Sequence, residues 1–107
     1  MNDLSIITYL KNLTNDIFKI LPMKENADVN GEHRNLRKYI ETLTINLLGG
    51  LSQFEVLGKE KQYIYAITNL RFLMNNEASY EQWRRTILTA VSGISSLYKK
   101  YGGDSDE

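Results

Sequence analysis

The chain has no cysteine, a single proline (Pro22) and a single histidine (His33) in its 107 residues. Without cysteine there can be no disulfide, no thiol catalysis and no thiolate metal site, a composition that fits a reducing compartment. Neither sign of charge is in excess, since 13 lysine and arginine residues balance 13 aspartate and glutamate residues. Net charge therefore supplies no general attraction to nucleic acid or to an anionic membrane, and only local patches could do so. No segment approaches the ~20 apolar residues needed to span a bilayer. The opening Met1-Asn2-Asp3-Leu4-Ser5 lacks the basic start and apolar run of a secretory signal, so a cytoplasmic protein without a membrane partner is expected.

What remains is ordinary globular material, 42% hydrophobic and 24% charged, with apolar residues at helical spacing almost throughout. One domain is expected over residues 1–101, followed by a flexible acidic tail over 102–107. A first helix is predicted from Asp3, as N-cap, to Ile20, with Ile6, Leu10, Leu13, Ile17 and Ile20 on one stripe. Pro22 biases Leu21 away from helical angles, so the helix should stop there and residues 22–32 should form a polar connection.

The second helix is the most informative stretch. From Leu36 to Leu57 it carries two apolar faces. Leu36, Ile40, Leu43, Leu47 and Phe54 make one, while Ile45, Gly49, Ser52 and Val56 lie about half a turn away. Gly49-Gly50 would weaken this helix by about 1 kcal/mol per glycine relative to alanine. The spacing nevertheless continues in phase, so the helix is expected to run through, with Gly58 as its C-terminal cap. A helix that only covers its own core needs one stripe, and the second face points to a partner.

A third helix is expected from Lys59 to Asn75, with Tyr63, Ile67, Leu70 and Met74 inward and Tyr65 and Phe72 outward. Ser79-Tyr80-Glu81-Gln82 has the form of a capping box for a fourth helix. That helix places Trp83, Ile87, Ala90, Ile94, Leu97 and Tyr101 on one face and ends at Gly102. Four helices with short connections make an all-α, antiparallel up-and-down four-helix bundle.

No catalytic constellation emerges. His33 has only Glu32 beside it, and successive helical residues point in different directions. Carboxylate-x-x-His pairs are lacking, and Gly49-Gly50 and Gly102-Gly103 have neither the spacing nor the lysine of a phosphate loop. Ser92, Ser95 and Ser96 have no base and read as the polar face of the fourth helix. Neither cofactor, metal nor small-molecule ligand is expected, and the chain is read as non-enzymatic. Arg34, Arg37 and Lys38 open the second helix, and Arg84 and Arg85 open the fourth. In a bundle these starts share one end, where five positive charges could contact nucleic acid or an acidic partner. Nearby Glu32, Glu41, Glu77 and Glu81 allow the blander reading of solvated ion pairs.

Two resemblances follow from particular runs. Ile17-Phe18-Lys19-Ile20-Leu21-Pro22, Tyr39-Ile40-Glu41-Thr42-Leu43 and Leu48-Gly49 resemble small uncharacterised helical proteins of Gram-positive bacteria and their phages. That likeness implies no activity. The ending Leu97-Tyr98-Lys99-Lys100-Tyr101-Gly102-Gly103 is similar to the C-terminus of the helical small subunits of type III CRISPR effector complexes. Those subunits stack along a guide RNA without catalysis, which implies an accessory, RNA-associated role and transfers no contact residue. The expectation is a non-catalytic interaction module, a homodimer or a subunit of a larger complex, contacting its protein partner through Ile45, Gly49, Ser52, Val56, Tyr65 and Phe72. A nucleic-acid-binding accessory subunit is the alternative.

Overall fold

The computed structural model describes residues 4–103. Its elements are α1 (Leu4–Phe18), α2 (Ile20–Asn30), α3 (His33–Gln53), a 3-10 helix η1 (Glu55–Lys59), α4 (Lys61–Asn75) and α5 (Tyr80–Lys100), with no strand among the described residues. Together, α1 and α2 form one bent arm, and the protein is an all-α, antiparallel up-and-down four-helix bundle. Around its axis, α3 packs on α4, α4 on α5, and α5 on α1. Expected as a cap, Asp3 lies outside the described residues.

The bend corrects the expectation of a polar connection over residues 22–32. A proline ring clashes with the carbonyl four residues earlier, here that of Phe18, and the helix is interrupted at Lys19 rather than at Pro22. Pro22 then falls in the first turn of α2, where its missing N–H has no helical partner to lose. Met23, Lys24, Glu25 and Ala27 are good helix formers, and Ile20, Leu21 and Ala27 are buried. Two side-chain contacts fix α2 on α5. Tyr80 donates to the Glu25 carboxylate at 2.6 Å, and the Lys24 ammonium sits 4.8 Å from the Trp83 ring centroid. Gly31 ends the helix in left-handed conformation (φ 74°), which glycine adopts without strain.

The single stripes locate the core as expected: Ile6, Leu10, Leu13 and Ile17 from α1, Leu36, Ile40, Leu43 and Leu47 from α3, Tyr63, Ile67 and Leu70 from α4, and Trp83, Ile87, Ala90, Ile94 and Leu97 from α5 are buried. The helix start at Ser79 is also as read: its Oγ accepts from Gln82 N–H at 3.2 Å, and Gln82 Oε1 accepts from Ser79 N–H at 3.0 Å. At the other end of α5, Gly102 N–H donates to Lys99 C=O and Gly103 N–H to Tyr98 C=O, a Schellman closure with Gly102 at φ 116°.

Helix α3 runs through Gly49-Gly50 as expected but stops at Gln53, short of Leu57. Phe54 is extended (φ −128°) and its ring lies 5.4 Å from that of Tyr9. Leu57 then plugs the core from η1. The cap expected at Gly58 is therefore displaced, because burying Leu57 and stacking Phe54 on α1 outweigh four more residues of exposed helix.

Candidate functional site

The inner and outer sides of α3 differ in kind. On the inner side, Gly50 faces the hydroxyls of Tyr9 from α1 and Tyr63 from α4. Tyr63, fully buried, donates its hydroxyl hydrogen to Leu47 C=O, and Tyr9 lies at hydrogen-bond distance (3.1 Å) from the Tyr63 oxygen. Tyr9 Oη is also 2.9 Å from the Asn46 carbonyl and 2.8 Å from its side-chain oxygen. A Cβ on Gly50 would overlap the Tyr63 hydroxyl and come within 2.5 Å of the Tyr9 oxygen. Burial, then the Tyr9 hydrogen bond, push the Tyr63 phenol well above its ordinary value. This pair is a structural lock between three helices.

On the outer side, Ile45 is 69% exposed, and Gly49 has nothing within 4 Å of where a Cβ would stand. Ser52 is exposed as well. Val56 is 40% exposed but belongs to η1, so it is off the helical stripe expected to contain it. The early end of α3 is the reason. Leu48 and Ile64 were not singled out by the spacing, yet both are exposed. Tyr63 at Leu47 and Arg37 at Met74 set the antiparallel register of α3 and α4. By that register Ile45 and Leu48 stand level with Tyr65 and Ile64. Tyr65 (62% exposed) and Phe72 (41% exposed) do point outward, but Tyr65 lines the groove between α4 and α5 rather than the one beside α3.

The five basic residues do not meet in one patch. Arg37 donates to Met74 C=O at 2.7 Å and approaches Glu41 at 3.5 Å, so it closes the C-terminal end of α4. Arg34 and Lys38 are exposed on the outer face of α3. Arg84 and Arg85 line the α4–α5 groove, with α4 standing between the two groups. His33 and Leu36 share a cavity of ≈ 170 Å³ with Trp83, which confirms that α3 and α5 begin at the same end.

His33 is not paired with Glu32 but lies 3.0 Å from Asp28, whose carboxylate also accepts from Lys24 at 2.9 Å. His33 first, then Lys24, hold the Asp28 carboxyl below its usual range. That partner is not legible from a sequence whose residues 22–32 read as a polar connection. A second ionic cluster joins the start of α4 to the end of α5. Buried Glu60 accepts from Lys100 at 2.7 Å and from the Tyr101 hydroxyl at 2.5 Å. Lys100, followed by Tyr101, lowers the Glu60 pKa, whereas burial and the Glu60 bond raise that of Tyr101 to about 12.

Among the described residues, no group of three or more His, Asp or Glu side chains is placed to hold a metal ion, and no helix is long and apolar enough to cross a membrane. Compared with known proteins, the chain matches no family model, no curated protein and no solved structure.

Proposed function

We propose that the protein is a non-catalytic helical interaction module, contacting a second copy or a partner subunit through the outer flank of α3, η1 and α4. One observation carries this reading: Ile45, Leu48, Val56, Ile64 and Phe72 are exposed on consecutive elements, whereas α5 exposes no large apolar side chain. Burying such area gains roughly 25 cal/mol per Å² before the costs of association, and adjoining exposed apolar residues mark partner sites more often than isolated ones.

The test uses Ile45→Glu combined with Gly49→Leu. Both positions are free in the monomer, so the variant should keep the helical circular dichroism of the wild type while an occupied face is blocked. The expected result is a lower mass in light scattering, or loss of the partner recovered with the wild-type protein from its host. Unchanged mass together with unchanged recovery of that partner overturns the reading. The nucleic-acid alternative draws on the α4–α5 groove, where Arg84 and Arg85 make no hydrogen bond or ion pair among the described residues.

A further inference from the structure

Tyr9, Tyr39, Tyr63, Tyr80 and Tyr101 each have a hydrogen-bond partner for the hydroxyl. The groove between α4 and α5 is lined by polar side chains without such partners. It is an open trough of ≈ 590 Å³ whose lining includes Tyr65, Asn69, Arg84, Arg85 and Ser92. None of these five side chains makes a hydrogen bond or ion pair among the described residues. Glu81 shares the rim, so the local excess is one positive charge.

The arrangement is ordered along the groove. Gln62 Cβ stands 3.1 Å from where a Cβ on Gly93 would be, which fixes the level of α4 against α5. From that point the antiparallel register places Ser92 and Tyr65 near the middle, Asn69 beyond them, and the two arginines at the far end. Arg85 and Tyr65 are then separated by about five residues along the helix axis, roughly 7 Å. Arg84 and Arg85 are the fifth and sixth residues of α5, and both line the trough. A guanidinium pair recognises phosphate oxygens, an exposed tyrosine ring offers a stacking face, and amide and hydroxyl groups match a base edge and a sugar.

We propose that this groove binds a nucleotide, with the phosphate at Arg84 and Arg85 and the base against Tyr65. The proposal deepens the nucleic-acid alternative and is independent of the apolar flank of α3. The nucleotide can be free or part of a single strand, and the two sources are separated by the probes.

Fluorescence polarisation of a labelled oligo(dT) strand and calorimetry with AMP are run on the intact protein at about 50 mM salt, where phosphate contacts are strong. The combined variant Arg84→Gln, Arg85→Gln should weaken binding by about tenfold or more and flatten its salt dependence. Tyr65→Ala should weaken it several-fold through lost stacking. Arg34→Gln with Lys38→Gln, on the outer face of α3, should leave binding within about twofold of the wild type. All these positions are exposed, and retained thermal unfolding shows that each variant folds. AMP binding with this pattern identifies a free nucleotide, and oligo(dT) binding without AMP binding identifies a strand. Absence of binding by both probes overturns the site and the nucleic-acid reading together. Binding lost in the α3 variant instead overturns only the groove. Equal binding of a glutamate-rich peptide, with no effect of Tyr65→Ala, overturns the nucleotide in favour of a general polyanion surface.

Discussion

Two helices of this bundle have the same length, 21 residues, and opposite characters. α5 has one buried stripe, a complete capping box and a Schellman closure. Both of its ends are closed locally, and its outer face is polar. α3 has no side-chain cap at its start, positive side chains in its first turns and two glycines near its end. It is held instead by tertiary contacts: Tyr9 and Tyr63 around Gly50, Tyr39 donating to Asp16 C=O at 2.7 Å, and Arg37 on the end of α4. A helix anchored from its inner side needs little from its outer face, and that face is where Ile45 and Gly49 stand free.

The contrast can be tested at neighbouring glycines. Gly50→Ala should cost about 2–3 kcal/mol in urea unfolding, because the new methyl displaces the Tyr63 and Tyr9 hydroxyls. Gly49→Ala should instead stabilise the fold by up to about 1 kcal/mol, since it meets no neighbour and gains helix propensity. Equal effects at the two positions would falsify the division of α3 into a locked and a free face.

A smaller effect is expected where α4 and α5 are joined by charge. Glu60→Gln should cost about 1.5 kcal/mol at neutral pH, the range for hydrogen bonds to a charged group, with the share of exposed Lys100 discounted for solvent screening. The folded-state pKa of Glu60 is depressed, so this stability is full above the unfolded value of about 4.3 and is lost as pH falls through the folded value. Wild-type and variant stabilities, measured by urea unfolding, should therefore converge on acidification, and a constant difference down to low pH would contradict the assignment. Ser79→Ala, which removes half of the capping box, should cost about 1 kcal/mol. A loss well above that in thermal unfolding would mean that α5 depends on more than its own ends.

Much of the bundle was legible because burial and helix periodicity carry the same signal. The inward stripes of α1, α3, α4 and α5, the Ser79–Gln82 cap and the passage of α3 through Gly49-Gly50 all follow from spacing and side-chain chemistry. Pro22 misled because the rule that a helix stops before proline holds for helix interiors, and here the chain restarts so that proline falls in a first turn. Once α2 read as a loop, the Asp28 partner of His33 and the Tyr80–Glu25 contact could not be seen. Val56 leaves the expected stripe for a similar reason: local periodicity does not reveal that Leu57 is needed in the core. Between the two glycines, spacing favoured Gly49 as the informative one, whereas the packed position is Gly50.

The sequence by itself determined that this chain is helical and where its inward stripes lie. These are properties of residues a few positions apart. Only the tertiary structure decided which glycine is covered by tyrosine hydroxyls, that Arg37 closes α4 while Arg84 and Arg85 face an open groove, and that α2 exists as a helix. Each of these depends on backbones brought together from distant parts of the chain, whose approach is set by packing rather than by local preference.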